Sequence, residues 1–297
     1  MKATQSTNTK PGKLTSAFWL ALLAGVLLVI SNSAVWVNNY IFNEYNFSQV
    51  VSTSLTSESS RQAIAEGVTD KVFQDRPVLK RVAGDVSTKI ISGLLNTSQA
   101  DTAIQEVTRR LNVVVTSSSR DPVVIDLSGV KNILTQLVDV SASLGRESQI
   151  DPATIPSEIT VLERNALPNF YKWGVAFLWI APLALVGALV SLAYPYIKHR
   201  QFTRTIIIMQ GACIAAVGLF ALLVGPLFRP PLLSNLKTSS GRTVVGNLYD
   251  AFIATFNAQT RVLIGVGVAM MTVGGLMYAY TFYRAWSAGR TKKPAKK

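Results

Sequence analysis

Hydrophobic and polar positions follow two different regimes along this chain. In four stretches, Ala17–Val37, Trp173–Tyr194, Thr205–Phe228 and Val262–Tyr283, no Asp, Glu, Lys, Arg or His occurs over 21–24 residues. A helix rises about 1.5 Å per residue, so each stretch can cross roughly 30 Å of hydrocarbon. In lipid a helix satisfies all of its own backbone groups, which makes four spanning helices the reading of this pattern. The first stretch is broken by Ser31-Asn32-Ser33 and preceded by Lys2, Lys10 and Lys13. That arrangement also fits a removable secretion signal. Apolar character resumes at Ala34-Val35-Trp36-Val37, and Trp19 and Trp36 fall where the two interfaces would be. Tryptophan concentrates at such interfaces, so the reading adopted is a retained anchor.

Between the first two spans the period changes. Val78, Leu79, Val82, Val86, Ile90 and Leu94 share one helical face after Pro77, and Ala103, Ile104, Val107, Leu111 and Val114 share another. Ser98 with Asp101 three residues on predicts a capping box for the second of these. A third face holds Val130, Ile133, Leu134, Leu137, Val138 and Leu144, with Ser128 as its cap. Weaker helices are expected at 47–55 and 58–73, the latter carrying Ile64, Val68 and Val72. Two β-branched runs, VVIDLS at 123–128 and EITVLE at 158–163, read as strands that pair with each other and lie on the helices. Before the fourth span, Val245, Leu248, Tyr249, Phe252, Ile253 and Phe256 form the apolar face of a helix over 243–258, after the loop RPPLLSNLKTSSGR. It either packs on the preceding domain or lies in the membrane interface; packing is the favoured reading.

Charge orients this arrangement. Twelve of the 29 Lys and Arg lie in residues 1–16, 195–204 and 284–297, which contain no acid, while all 16 Asp and Glu lie in 38–172 and 229–261. Basic short segments mark the cytoplasmic side. The expected order is a basic cytoplasmic N-terminus (1–16), span 1 (17–37), an extracytoplasmic α-rich domain (38–172), span 2 (173–194), a cytoplasmic connector (195–204), span 3 (205–228), an extracytoplasmic loop with an amphipathic helix (229–261), span 4 (262–283) and a basic cytoplasmic tail (284–297). Against it, the 229–261 loop carries Arg229, Lys237, Arg242 and Arg261 and only Asp250. The composition agrees with a membrane protein: 49% hydrophobic and 15% charged, against about a quarter charged in soluble domains. A net charge of +13 invites a nucleic-acid reading, but no basic stripe is interleaved with aromatics on a soluble domain. The tail RTKKPAKK fixes topology and has the charge to meet anionic headgroups.

The search for chemistry returns little. Cys213, the single cysteine, lies within the third span, so no disulfide closes within one chain. His199 sits between Lys198 and Arg200 in the short connector. Ser128-Gly-Val-Lys131 matches S-x-x-K, but its S-D-N and K-T-G partner motifs are missing, and a helix cap explains Ser128 better. NFS at 46–48 and NTS at 96–98 match glycosylation acceptors by pattern. The spans hold no charge, only mild polar groups such as Asn32, Ser191, Gln210 and Thr272, which serve better as interhelical hydrogen-bonding groups than as a ligand path. Gly211, Ala215, Gly218, Gly267, Gly274 and Gly275 read as close-packing surfaces. Cytoplasmic segments of sixteen, ten and fourteen residues are too short for a kinase, cyclase or DNA-binding domain.

The segments AVWVNNYIFNEYNFSQVV (34–51), AIAEGVTDKVF (63–73), VVIDLSGVKNIL (123–134), ITVLE (159–163) and LYDAF (248–252) together resemble an uncharacterised family of four-span integral membrane proteins of actinobacteria and related bacteria. The resemblance covers nearly the whole chain. It implies a retained first span and carries no catalytic signature.

The expectation is an all-α membrane protein: four transmembrane helices plus a mostly helical extracytoplasmic domain with a short two-stranded sheet. Its place is the plasma membrane, multi-pass, with both termini cytoplasmic. The expected role is non-enzymatic, displaying an interaction or sensing domain to a protein or envelope component. Membrane lipids surround it, and no cofactor, metal, catalytic residue or nucleic-acid partner is expected. The alternative is a transport or lipid-handling component gated by the outer domain. An enzyme using carboxylates such as Asp121 and Asp126 is the least favoured reading.

Overall fold

The computed structural model describes residues 12–72, 77–116, 123–126, 158–162, 171–236 and 238–290. The elements, in order, are α1 (Gly12–Tyr40), α2 (Glu44–Leu55), α3 (Glu58–Val72), α4 (Pro77–Leu95), α5 (Ser98–Thr116), β1 (Val123–Asp126), β2 (Glu158–Leu162), α6 (Tyr171–Lys198), α7 (Thr203–Ser234) and α8 (Ser239–Arg290). The helical face expected over 130–144, its cap Ser128, Lys131, Asp121 and the basic tail from 291 lie outside the described residues. The chain divides into two compact units: Met1–Trp36 with Phe177–Leu227 and Thr255–Lys297, and Val37–Ala176 with Phe228–Ala254.

The first unit is a helical bundle. Among the described residues, four helices are long and apolar enough to cross a membrane, at Thr15–Tyr40, Trp173–Lys198, Arg200–Ser234 and Ser239–Ser287. Each contains one of the charge-free stretches, consistent with a multi-pass membrane protein. The packing supplies a second argument. α6 buries Ala181, Ala184, Ala188 and Ser191, a 3-4-3 spacing that forms one stripe, and exposes Leu178, Trp179, Leu183, Val186, Leu189 and Val190. α1 likewise buries Ala17, Ala21, Ala24, Ser31 and Ala34 while Trp19, Leu23 and Ile30 stay exposed. Soluble bundles bury the large apolar residues; on α1 and α6 the small ones are inside and the large ones outside, while α7 contributes buried Ile206 and Ile214. In water so wide an apolar surface drives association. In lipid it costs nothing, and small residues let backbones approach closely.

The closest approach lies between α7 and α8. A Cβ built on Gly211 would lie 2.5 Å from the carbonyl oxygen of Gly267, and one on Gly267 2.7 Å from that of Gly211. Gly218 meets Ile264 and Gly274 meets Ile208 in the same way, whereas Gly275 faces open space. Gly275 is thus not part of the packing surface expected of it.

In the second unit, α2 pairs with α5 and α3 with α4. Asn43 caps α2, its side chain accepting from the Asn46 N–H at 3.0 Å, so α2 begins earlier than the expected 47–55. The hydroxyl of Thr97 accepts from the Ala100 N–H at 3.3 Å, which places the N-cap of α5 one residue before the expected Ser98. Asp101 is drawn away from the capping box by Arg61, 2.9 Å from its carboxylate. At the C-terminal end of α5, buried Asn112 donates to the Ile41 carbonyl at 2.7 Å. β1 and β2 run antiparallel, with Val124 opposite Thr160 and Ile125 opposite Ile159.

The RPPLLSNLKTSSGR segment differs from expectation. α7 continues through Arg229, Pro230 and Pro231 to Ser234, and α8 runs unbroken for 52 residues. Proline removes an N–H donor, so Pro230 and Pro231 leave the carbonyls of Pro226 and Leu227 without their usual intrahelical partner. At the helix end the Ser234 hydroxyl and the Asn235 amide both donate to the Pro231 carbonyl, at 3.0 and 3.2 Å. Arg229 adds a fork of two 2.9 Å bonds to Asp250.

Candidate functional site

Two sets of polar side chains are candidates for function, one in each unit. In the bundle, the Ser31-Asn32-Ser33 break of α1 meets polar positions on neighbouring helices. Ser31 donates to the Ala181 carbonyl at 2.8 Å, and Asn32 donates to the Thr260 hydroxyl at 3.3 Å. Gln259 donates to the Asn32 carbonyl at 3.3 Å, and the Trp36 indole to the Thr255 hydroxyl at 2.9 Å, with its ring edge-on to Phe256. Between α6 and α7, Gln210 is fully buried and bonded at both ends of its amide: the NH2 donates to the Leu192 carbonyl at 2.8 Å and the oxygen accepts from the Tyr196 hydroxyl at 2.6 Å. These groups hold helices together, each worth about 0.6–2 kcal/mol. Thr272 is exposed and donates only to the Val268 carbonyl of its own helix, so it plays no such part. On α8 the oxygen of Asn257 is enclosed and has no partner.

In the second unit the polar set joins helices distant in sequence. Arg61 of α3 donates to Asn96 in the α4–α5 turn and pairs with Asp101, its Nε enclosed without a partner. Asn247 of α8 donates to the hydroxyls of Ser59 and Ser60 at 2.9 and 2.8 Å, and Ser60 also accepts from Ser57 at 3.0 Å. Phe252 packs on Phe47 at 5.6 Å between ring centroids. These contacts place residues 239–254 of α8 on α2 and α3, as packing on the preceding domain requires. Arg109 of α5 bonds Glu106 through two nitrogens, at 3.0 and 3.1 Å, and reaches Glu44 of α2 at 3.4 Å. The Glu106 hydrogen bond and charge, followed by those of Glu44, raise its already high pKa further.

The remaining candidates from sequence fall apart in space. Cys213 is buried with its backbone against Gly25, where no chemistry reaches it. His199 stands just before the 3-10 turn Arg200–Phe202 and its carbonyl accepts from Phe202. The Asn46 amide of the first acceptor pattern already donates to the Asn39 carbonyl at 2.9 Å. Among the described residues no three His, Cys, Asp or Glu side chains are grouped to hold a metal ion. In comparisons with protein-family models, curated proteins and solved structures, nothing matches this chain.

Sequence reasoning finds the positions here but misses their partners. Asn32 and Gln210 stand out as polar residues in apolar runs, whereas Thr255, Gln259 and Thr260, their counterparts on α8, do not. A signal for them exists: ATFNAQTR at 254–261 is the polar stretch that immediately precedes the fourth charge-free run.

Proposed function

We propose that this protein is a non-enzymatic component of the bacterial envelope, anchored by four spanning helices and presenting its second unit outside the cytoplasm to a protein or envelope partner. The observation that carries the reading is the division of labour between the units. One exposes large apolar residues around a small-residue interior. The other holds all 16 acidic residues, and its described polar groups are engaged in joining helices. The antiparallel strand pair belongs, in this reading, to the outer domain, both termini are cytoplasmic, and the first span is retained because its Ala and Ser face packs into the bundle. Membership of the four-span actinobacterial family is part of the same proposal and rests on the five segments that resemble it.

The test is photocrosslinking in intact cells from Tyr45, which is 72% exposed on α2, and from Val86, 59% exposed on α4. One reproducible partner captured from these positions, and not from Leu183 of the bundle, supports the proposal. Equal capture of the same species from all three overturns it.

The enclosed, unpartnered oxygen of Asn257 on α8 favours a second reading, a transport or lipid-handling path along that helix. Reconstituted vesicles with substrate flux that Asn257→Leu abolishes, while Gln210→Leu leaves it intact in a folded protein, would place this reading first.

A further inference from the structure

The α6–α7 connector encloses a feature the proposed function does not use. A half-open cavity of about 460 Å³ lies between the connector and α8, lined by Arg200, Gln201, Phe202, Thr203, Arg204 and Tyr278 among others. Arg204 is held in place, donating from Nη1 to the Thr281 hydroxyl at 2.6 Å. Arg200 projects from the 3-10 turn and is exposed. No carboxylate is available to either guanidinium from the surrounding sequence, because no Asp or Glu occurs in residues 173–228 or 262–297. Two cations thus share one recess, and the chain segments that line it carry no Asp or Glu of their own.

The location narrows what supplies that charge. Four residues separate two helices that are each long and apolar enough to cross a membrane. The connector therefore lies at a membrane–water boundary, whichever side that is. Phospholipid phosphates occupy this depth. Guanidinium forks match phosphate oxygens with paired, charge-assisted hydrogen bonds, and Gln201 and Thr203 add neutral polar groups. Phe202 and Tyr278 give the recess an apolar wall suited to a glycerol backbone and the start of an acyl chain. The volume falls in the range of small-ligand sites.

We propose that this cavity binds the phosphodiester headgroup of an anionic phospholipid, with Arg200 and Arg204 as the phosphate-contacting residues. The inference stands apart from the outer-domain reading and from the topology.

The test is native mass spectrometry of the full chain in neutral detergent, titrated with phosphatidylglycerol, phosphatidylcholine or soluble glycerol phosphate. Phosphatidylglycerol is expected to be retained in preference to phosphatidylcholine. Arg200→Gln, which leaves the Arg204–Thr281 bond intact, is expected to lower that retention about tenfold, as loss of a charge-assisted hydrogen bond implies. Arg284→Gln removes the same charge outside the cavity and is expected to leave it unchanged. A thermal melt without lipid verifies that each variant is folded. Equal retention of the two lipids, or equal loss in Arg200→Gln and Arg284→Gln, overturns the proposal. Glycerol phosphate binding as well as the lipid does so too, since the site would then serve a free anion.

Discussion

At residue scale the bundle is governed by where a methyl group fits. Gly→Ala in a helix normally stabilises by about 0.5–1 kcal/mol through chain entropy. Gly275 has nothing within 4 Å of its would-be Cβ, so Gly275→Ala should be neutral or slightly stabilising. At Gly211 the same methyl meets the Gly267 backbone at 2.5 Å and forces α7 from α8. Gly211→Ala should therefore lose about 1–3 kcal/mol, the usual cost of overpacking, seen as a lower thermal midpoint in detergent. Gln210→Leu should cost about 1–3 kcal/mol, since it leaves the Leu192 carbonyl and the Tyr196 hydroxyl without their shared partner. Unfolding in a denaturing detergent titration checks it, with Tyr196→Phe expected to recover part of the loss in the double variant.

The Arg61–Asp101 pair shows the same asymmetry outside the bundle. The Arg61 side chain is 17% exposed, so removing its counter-charge strands a partly desolvated cation. Asp101→Asn should destabilise the second unit by about 1–2 kcal/mol after allowance for solvent screening, read as faster proteolysis within α3–α5. The Glu44–Arg109 contact is exposed on both sides, and Glu44→Gln should change little by the same measure.

At the scale of elements, α8 departs most from a simple span. Its 52 residues measure about 78 Å, against about 30 Å for the hydrocarbon core. The excess at its N-terminal end is the segment held by Asn247 to Ser59 and Ser60 and by Phe252 to Phe47. Asn247→Ala is expected to loosen α3, and hydrogen exchange should show amides of residues 58–72 gaining deuterium faster while those of α6 are unaffected.

The elements are legible in the sequence to different depths. The spans are plain, since a soluble helix of that length keeps a charged or polar face toward water and these four have none. The helices α3, α4 and α5 are visible from apolar spacing, but their ends are not. Thr97 and Ser98 are equally good caps by type, and only the pull of Arg61 on Asp101 separates them. The continuation of α7 past Pro230 runs against a sound local rule, and the Arg229–Asp250 fork that secures it joins residues on different helices. Pairings such as Asn247 with Ser60, or Gly211 with Gly267, depend on which faces meet. A single sequence holds no record of that. The connector cavity is hidden for the same reason: in the sequence Arg200 and Arg204 mark topology, and only Met277 and Tyr278 of α8 beside them make a recess.

For the molecule as a whole, the charge distribution makes a prediction about sidedness. With Cys213 as the only cysteine, a Cys213→Ser background accepts single reporter thiols cleanly. Glu58→Cys is expected to react with a membrane-impermeant maleimide in intact cells, and Arg284→Cys only after permeabilisation. The reverse pattern would invert the topology while leaving the four crossings in place.

The small-residue interior has one more consequence, for how the chain tolerates change. In a water-soluble bundle, random substitution spares the outside and punishes the inside because bulk there is lost. On the small-residue faces of this bundle, bulk is what the inside refuses. A saturation library selected for correctly inserted protein should accept Leu, Ile, Phe and Val almost interchangeably at positions such as 183, 186 and 190. At 24, 188, 211 and 267 the same library should retain little beyond Gly, Ala and Ser.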